Sequence, residues 1–247
     1  AAILSTYGAL RAGTGVTITV CPSSLSSIYE KHILEGMTLS CNDNGKGYLS
    51  LENYDEIMEK IEWADSLVIG PGLGLEKDTM SLVAKLVNEV DKPIVLDADG
   101  LAVFPSLNGS LDNLVITPHL GEFSRILNIE KKILLKNFIQ IVKNFMIDFP
   151  GVAIIKHVPT CVFNGQKMSL NSTGNPGLAT AGSGDVLSGV IASFISQKMN
   201  SYDACRLSSY FHGLAADNQI KYKGIRGLIA SDLPLEIAKV INEYENI

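Results

Sequence analysis

Asn171-Ser-Thr-Gly-Asn-Pro-Gly-Leu-Ala-Thr-Ala-Gly-Ser-Gly-Asp185 is a run of small residues that leads straight into an apolar segment, Val186–Ile195. Val186, Leu187, Val190, Ile191, Phe194 and Ile195 recur at helical spacing, so a helix is predicted to open at Gly182-Ser183-Gly184-Asp185. The first N–H groups of a helix have no partner within it and lie at the positive end of its dipole. Glycines in front of them let an anion approach the backbone, and phosphate suits such a cradle best. A carboxylate in this position has two readings. Asp185 caps the helix, or it takes a proton from a hydroxyl that attacks phosphorus. The residues leave both open.

Outward from this segment, short β-rich runs alternate with helical stretches, the pattern of crossover units on a mainly parallel sheet. The strands are Val16–Val20, Leu67–Gly70, Pro93–Asp97, Leu114–Thr117 and Val152–Lys156, and Cys161–Leu170 reads as a hairpin turning at Asn164-Gly165. Helices are predicted over residues 1–11 (ending at Gly13), Thr79–Val90, Gly121–Leu127, Lys136–Phe149, Asp185–Lys198, Tyr202–Tyr222 and Asp232–Glu245, the last capped by Ser231. Nothing repeats and no low-complexity linker interrupts the 247 residues, so one domain is expected. Residues 1–11 read as mid-helix without a start signal, which suggests a trimmed chain or one part of a longer polypeptide.

The polar and glycine-rich loops fall mostly after strands: Pro71–Gly74, Asp97-Ala98-Asp99, Thr117-Pro118-His119, Lys156-His157 and residues 182–185. In open α/β sheets ligands sit beyond the carboxyl ends of the strands, so these loops are expected to share one pocket. Each residue also has a plainer reading. Gly72 and Gly74 allow close approach of a ligand, or serve a turn that needs positive φ. Asp97 and Asp99 orient Mg²⁺ through water, or act as turn and cap residues, the reading preferred for Asp99. His119 is structural or catalytic. Glu122 complements the dipole of its own helix or serves the site, and Arg125 pairs with it or binds a phosphate. Lys156 is solvated, or lies near nucleotide phosphates. His212, among Phe211, Leu214 and Ala215, reads as a core or interface histidine, and His32 carries no signal.

The composition excludes several classes. A net charge of −6 argues against a nucleic-acid groove, so a phosphate-rich ligand must be held by local amides, a lysine or a metal. Cys21, Cys41, Cys161 and Cys205 have neither CxxC nor metal spacing and read as reduced thiols of a cytoplasmic protein. No stretch is apolar for the length of a membrane span. No GxxxxGK[ST] loop occurs, and no GxGxxG follows the first strand.

Ile69-Gly-Pro-Gly-Leu-Gly74, Leu96-Asp-Ala-Asp-Gly-Leu101, Thr117-Pro-His-Leu-Gly-Glu122 and Asn175-Pro-Gly-Leu-Ala-Thr-Ala-Gly-Ser-Gly-Asp185 together resemble the ADP/ATP-dependent NAD(P)H-hydrate dehydratases. His212-Gly-Leu-Ala-Ala-Asp217 and Gly227-Leu-Ile-Ala-Ser-Asp232 fit the family's closing segments, so the resemblance runs across almost the whole chain. It implies an α/β class protein, a three-layer α/β/α ribokinase-like fold with a mainly parallel central sheet. It implies repair of nicotinamide cofactor: the S-form of hydrated NADH or NADPH is dehydrated at the expense of ADP or ATP through a phosphorylated intermediate. The products are reduced cofactor, AMP or ADP, and phosphate.

Position by position, the resemblance makes Asp185 the base and a substrate contact. Gly182, Ser183 and Gly184 become the amides on the nucleotide phosphates, and Lys156, His157, Val158, Pro159 and Thr160 the adenylate segment. Gly72, Gly74, His119, Glu122 and Arg125 face the hydrated nicotinamide, and Glu122 organises Mg²⁺ through water. His157 replaces the family's usual glycine, and the family's first strand is missing before Ala1. The Thr-Pro-His form favours ADP, relatives form tetramers, and some carry an epimerase domain. Two other functions remain in play: a small-molecule kinase of this fold, acting for example on a thiamin-precursor alcohol, and a nucleotide-binding protein without turnover.

Overall fold

The computed structural model describes residues 1–245. Helix α1 (Ala2–Arg11) leads into two parallel strands, β1 (Ile18–Pro22) and β2 (Met37–Cys41), joined through α2 (Ser26–His32). These two strands form a sheet of their own. After α3 (Tyr54–Trp63) come β3 (Leu67–Ile69), α4 (Lys77–Glu89), β4 (Ile94–Leu96), a 3₁₀ segment (Ala98–Ser106) and β5 (Leu114–Ile116). Three helices follow, α5 (Leu120–Ile126), α6 (Lys131–Lys136) and α7 (Phe138–Asp148), then β6 (Val152–Ile155), β7 (Cys161–Asn164) and β8 (Lys167–Leu170). The chain closes with α8 (Ser183–Ser196), α9 (Ser201–Lys223) and α10 (Leu233–Glu245).

The main sheet has the order β3-β4-β5-β6-β7-β8. Its first four strands are parallel, and the β7–β8 hairpin adds antiparallel strands at one edge. The parallel strands are short and apolar on both sides because helices cover both faces. Ile94, Leu96, Leu114, Ile116, Ala153 and Ile155 point into one core, which includes α3, α4, α5 and α7. Val95, Val115, Val152 and Ile154 point into the other, which includes α8, α9 and α10. The expected three layers are present. No helix among the described residues is long and apolar enough to cross a membrane.

Helix α8 departs from a simple amphipathic pattern, being buried continuously from Val186 to Ile195. Its second face is covered by α1, and small residues let the two backbones touch. A Cβ on Gly189 would stand 1.9 Å from the Ser5 carbonyl oxygen, and one on Gly8 would stand 2.4 Å from that of Val186. This crossing fixes where the mouth of α8 lies.

Other differences are local. The first strand starts at Ile18, two residues late, and β2, α2 and α3 have no counterpart in the sequence reading. The helix predicted over Lys136–Phe149 is α7, which starts two residues later at Phe138, and α6 before it has no counterpart in the sequence reading; Asn137, at φ −127° and ψ 31°, separates the two. Ser231 lies inside a 3₁₀ turn, where Asp232 Oδ2 accepts the Ile229 N–H at 3.1 Å ahead of α10.

Candidate active site

The mouth of α8 is shaped by Gly182, whose φ of +88° turns the chain into the helix. The Val186 N–H closes on the Gly182 carbonyl at 3.2 Å, and the Ser183 N–H reaches that of Thr180 at 3.4 Å. The N–H groups of Gly184 and Asp185 find no backbone acceptor among the described residues. They lie at the positive end of the dipole. No helix amide donates to the Asp185 carboxylate, which removes the capping reading and leaves that side chain available. It is 17% exposed. Burial pushes its carboxyl above the usual carboxylate range; Asp97 and Asp99 add to this and Lys156 opposes it. A carboxylate raised in this way is a better proton acceptor than an ordinary one.

Behind the mouth, two links hold the loop. The Ser183 hydroxyl donates to the Leu178 carbonyl at 2.7 Å. His212, on α9, donates its Nε2–H to the Ser183 carbonyl at 2.9 Å. Burial holds the His212 imidazole down at about 4, the Ser183 carbonyl pulls the other way, and Lys156 adds to the lowering. Upstream, Asp217 accepts from the Gly174 N–H at 2.8 Å and from Asn175 Nδ2 at 2.9 Å. The core reading of His212 therefore stands, with a task that spacing alone does not disclose: two residues of α9 tie down the loop that feeds α8.

Strand ends supply the floor. Asp97 follows β4 and is 1% exposed; its Oδ1 accepts from Lys156 Nζ at 2.7 Å and its Oδ2 from Ser188 Oγ at 2.5 Å. The Gly70 backbone passes so close to this turn that a Cβ would stand 1.7 Å from the Asp97 carbonyl oxygen, with φ at +130°. Gly72 and Gly74 both have positive φ, 72° and 79°, as the turn reading requires. Asp99 Oδ2 accepts the Gly74 N–H at 3.0 Å, so Asp99 is the turn residue that the sequence favours.

His119 is itself the cap of α5. Its Nδ1 accepts the N–H groups of Gly121 (2.9 Å) and Glu122 (3.1 Å), while Glu122 Oε2 accepts the His119 N–H at 2.7 Å. Because Nδ1 is an acceptor, the ring proton sits on Nε2, 3.4 Å from Glu122 Oε1. Arg125 does not pair with Glu122; its Nε donates to the Gly121 carbonyl at 3.2 Å. A parallel bridge between His119 and Lys156 continues the β5–β6 pairing beyond the strands and brings these two loops together. From Lys156 the chain leaves the sheet. The His157 ring lies 5.6 Å from that of Phe138, Val158 is 88% exposed, and Thr160 Oγ1 donates to the His157 carbonyl at 3.3 Å.

Residues near Asp185, Lys156, Gly184 and Asp97 are thus in one place, and His119 joins them through Lys156. Sequence reasoning missed Ser188, Asp217 and the contact of His212. The available signal for Ser188 was a serine three residues after Asp185, inside the apolar run Val186–Ile195. No group of three or more histidine, cysteine or acidic side chains that could hold a metal by themselves occurs among the described residues.

The sequence profile described as NAD(P)H-hydrate dehydratase matches residues 1–239. The chain belongs to this family. Within it, the chain is 37% identical over 250 residues to the bifunctional NAD(P)H-hydrate repair enzyme Nnr of Dictyoglomus turgidum, covering 98% of this chain and 48% of that protein. It therefore spans about half the length of the curated relatives it matches. The ADP/ATP-dependent NAD(P)H-hydrate dehydratase of Bacillus subtilis, co-crystallised with ATP and Mg²⁺, superposes with a TM-score of 0.79 at 25% identity, covering 98% of this chain and 84% of that one. A ribokinase-like superfamily protein from Enterococcus faecalis, 22% identical, superposes with a TM-score of 0.80 over 99% of this chain and 81% of its own, which places the fold of this dehydratase-family chain in the ribokinase-like class.

Proposed function

We propose that the chain dehydrates the S-form of hydrated NADH or NADPH, with ADP or ATP as phosphate donor. The observation that carries this reading is the uncapped Asp185 carboxylate, raised by burial, beside two free amides at the mouth of α8. Such a pairing suits phosphoryl transfer to a hydroxyl, where positioning and charge stabilisation do most of the work.

The cofactor hydrate carries a hydroxyl on the carbon beside the ring nitrogen. Asp185 takes the proton of that hydroxyl while its oxygen forms a bond to the terminal phosphorus of the nucleotide. The bond from phosphorus to the bridging oxygen breaks, and AMP leaves from ADP, or ADP from ATP. The free Gly184 and Asp185 amides hold the transferring group, on a loop that Gly182 and Ser183 turn into the helix. Lys156 to Thr160, with His157 and the exposed Val158 and Pro159, receive the adenylate. The ring nitrogen's lone pair then expels phosphate, and loss of a proton from the neighbouring carbon restores the double bond of the reduced ring. Gly72, Gly74, His119, Glu122 and Arg125 form the face toward the nicotinamide, where His119 offers its Nε2–H.

Magnesium fits this donor set. It commonly binds through one or two carboxylates together with phosphates and water, and Glu122 supplies a carboxylate whose place is fixed by the α5 cap. Bound there through water, it would neutralise phosphate charge. We further infer a single ribokinase-like domain over residues 1–247 and a homo-oligomer, a tetramer by likeness to the family. We place it in the cytoplasm, in keeping with four buried thiols, none in a disulfide. The bifunctional name of the Dictyoglomus protein supports reading this chain as the dehydratase part, with an epimerase, fused or separate, supplying the S-form.

The test mixes the protein with hydrated NADH, Mg²⁺ and ADP, or ATP in a parallel arm, and follows the near-ultraviolet absorbance of reduced nicotinamide. Recovery of absorbance with equimolar AMP (or ADP) and phosphate is expected. No recovery with either nucleotide would overturn the reading, and accumulation of a stable phosphate ester would favour a kinase.

A further inference from the structure

Four residues stand one position beyond four neighbouring strands: Gly70 after β3, Asp97 after β4, Thr117 after β5 and Lys156 after β6. Alternation places them on one face. Val68, Val95, Val115 and Ile154, two residues earlier in each strand, all belong to the core shared with α8. Asp97, Thr117 and Lys156 therefore form a row beneath the mouth of that helix. Within the row, Asp97 has both carboxylate oxygens engaged, one by Lys156 and one by Ser188 of α8. The Lys156 ammonium keeps further hydrogens to donate and is partly exposed. Its Nζ lies 3.2 Å from the point where a methyl group on Gly184 would stand, the nearest atom to that point.

The geometry points to Asp97 as a positioning residue, clamped by Ser188, that aims the Lys156 ammonium at the phosphoryl group in transfer and not at the adenine or ribose. The inference rests on the phosphoryl-transfer reading above and refines it, since the family resemblance assigns Lys156 to the adenylate. A buried carboxylate is costly unless paired and hydrogen-bonded, and Asp97 meets both conditions only with Lys156 and Ser188 in place. In return the lysine, otherwise a flexible cation on four methylenes, is held at one point beside the free amides. A donor fixed before the reaction, where charge builds on the phosphoryl oxygens, stabilises the transition state without reorganisation. Glycine at 184 leaves the space that the ammonium and the phosphate share.

Calorimetric binding of AMP and ADP to the whole chain tests this without the nicotinamide substrate. Lys156→Met and Asp97→Asn should each weaken ADP about 10-fold, as loss of a charge-assisted hydrogen bond commonly does, while changing AMP less than about 2-fold. Equal losses for both nucleotides would place Lys156 on the adenylate and overturn the proposal. Where hydrated cofactor turns over, Asp97→Asn should lower kcat about 10²-fold and raise the KM for ADP about 10-fold, in step with the loss of ADP binding. In a Lys156→Met background it should add almost nothing, because Asp97 acts through that lysine. Additive losses in that cycle would also overturn it. The double variant removes both charges together and so avoids the unpaired buried carboxylate that could unfold Lys156→Met, and Ser188→Ala loosens the clamp while the ion pair remains. A wild type that binds ADP without dehydrating the cofactor hydrate would end the dehydratase reading and leave the AMP/ADP comparison to decide this one. Binding of neither nucleotide would end both.

Discussion

Replacing His212 with glutamine isolates the part of the protein's acid sensitivity that this one ring carries. The imidazole is buried, donates Nε2–H to the Ser183 carbonyl, and is held down at about 4, chiefly by burial. In the unfolded chain it titrates near its ordinary 6.5. Between these two values the unfolded state binds a proton that the native state refuses. Stability is therefore complete above about 6.5 and falls as the pH drops toward about 4. At 1.36 kcal/mol per pH unit the loss is about 3 kcal/mol over that window. Glutamine can keep an N–H directed at the Ser183 carbonyl but does not titrate, so its variant should lack this component. Urea unfolding of both proteins at several pH values from 7 to 4, with unchanged m-values, measures the difference. Asp185 works in the opposite sense, since a raised carboxyl favours the native state on acidification, but it is common to both proteins and cancels in the comparison. Parallel stability curves for wild type and variant would refute the reasoning, because they would mean that His212 accepts its proton without unfolding.

The remaining expectations concern turnover and packing. Asp185→Asn should lower dehydration of the cofactor hydrate about 10²–10⁴-fold, the usual cost of losing a positioned base, with ADP affinity nearly intact in the same calorimetric assay. The acid limb of kcat/KM should lie above the ordinary carboxylate value of 3.8, because Asp185 works only when ionised. In Asp97→Asn that limb should move to lower pH, since one of the charges that raise Asp185 is gone, whereas Ser188→Ala should leave it in place. Gly189→Ala forces a methyl group against the Ser5 carbonyl and should cost about 1–3 kcal/mol, seen as a fall of several degrees in Tm.

Local pattern carried much of the sheet and helix plan. The runs around Val68, Val95, Val115 and Ile154 are too short and too apolar for anything but buried strands, and Asn164-Gly165 announced the hairpin. The glycine entry to α8 was legible for the same reason: only glycine takes a φ of +88° without strain, and apolar periodicity begins directly after it. Helix α6 was not legible, and α7 starts at Phe138 and not at the predicted Lys136, because Asn137 leaves helical geometry only in the folded chain. Nor were β2 and α2, whose residues carry no strong period and gain their conformation from pairing with β1 and packing beside it.

The chain of residues by itself determined an α/β protein with a glycine entry to a buried helix at Gly182–Asp185 and a set of chemically distinctive loops behind the strands, because backbone freedom and side-chain period are local properties. Tertiary structure alone decided which of those groups meet. Asp97 and Lys156 are far apart in sequence yet are joined at 2.7 Å, through strands that neither of them specifies. The α1–α8 approach and the His212 contact from α9 are likewise set by packing between elements, which no local spacing encodes.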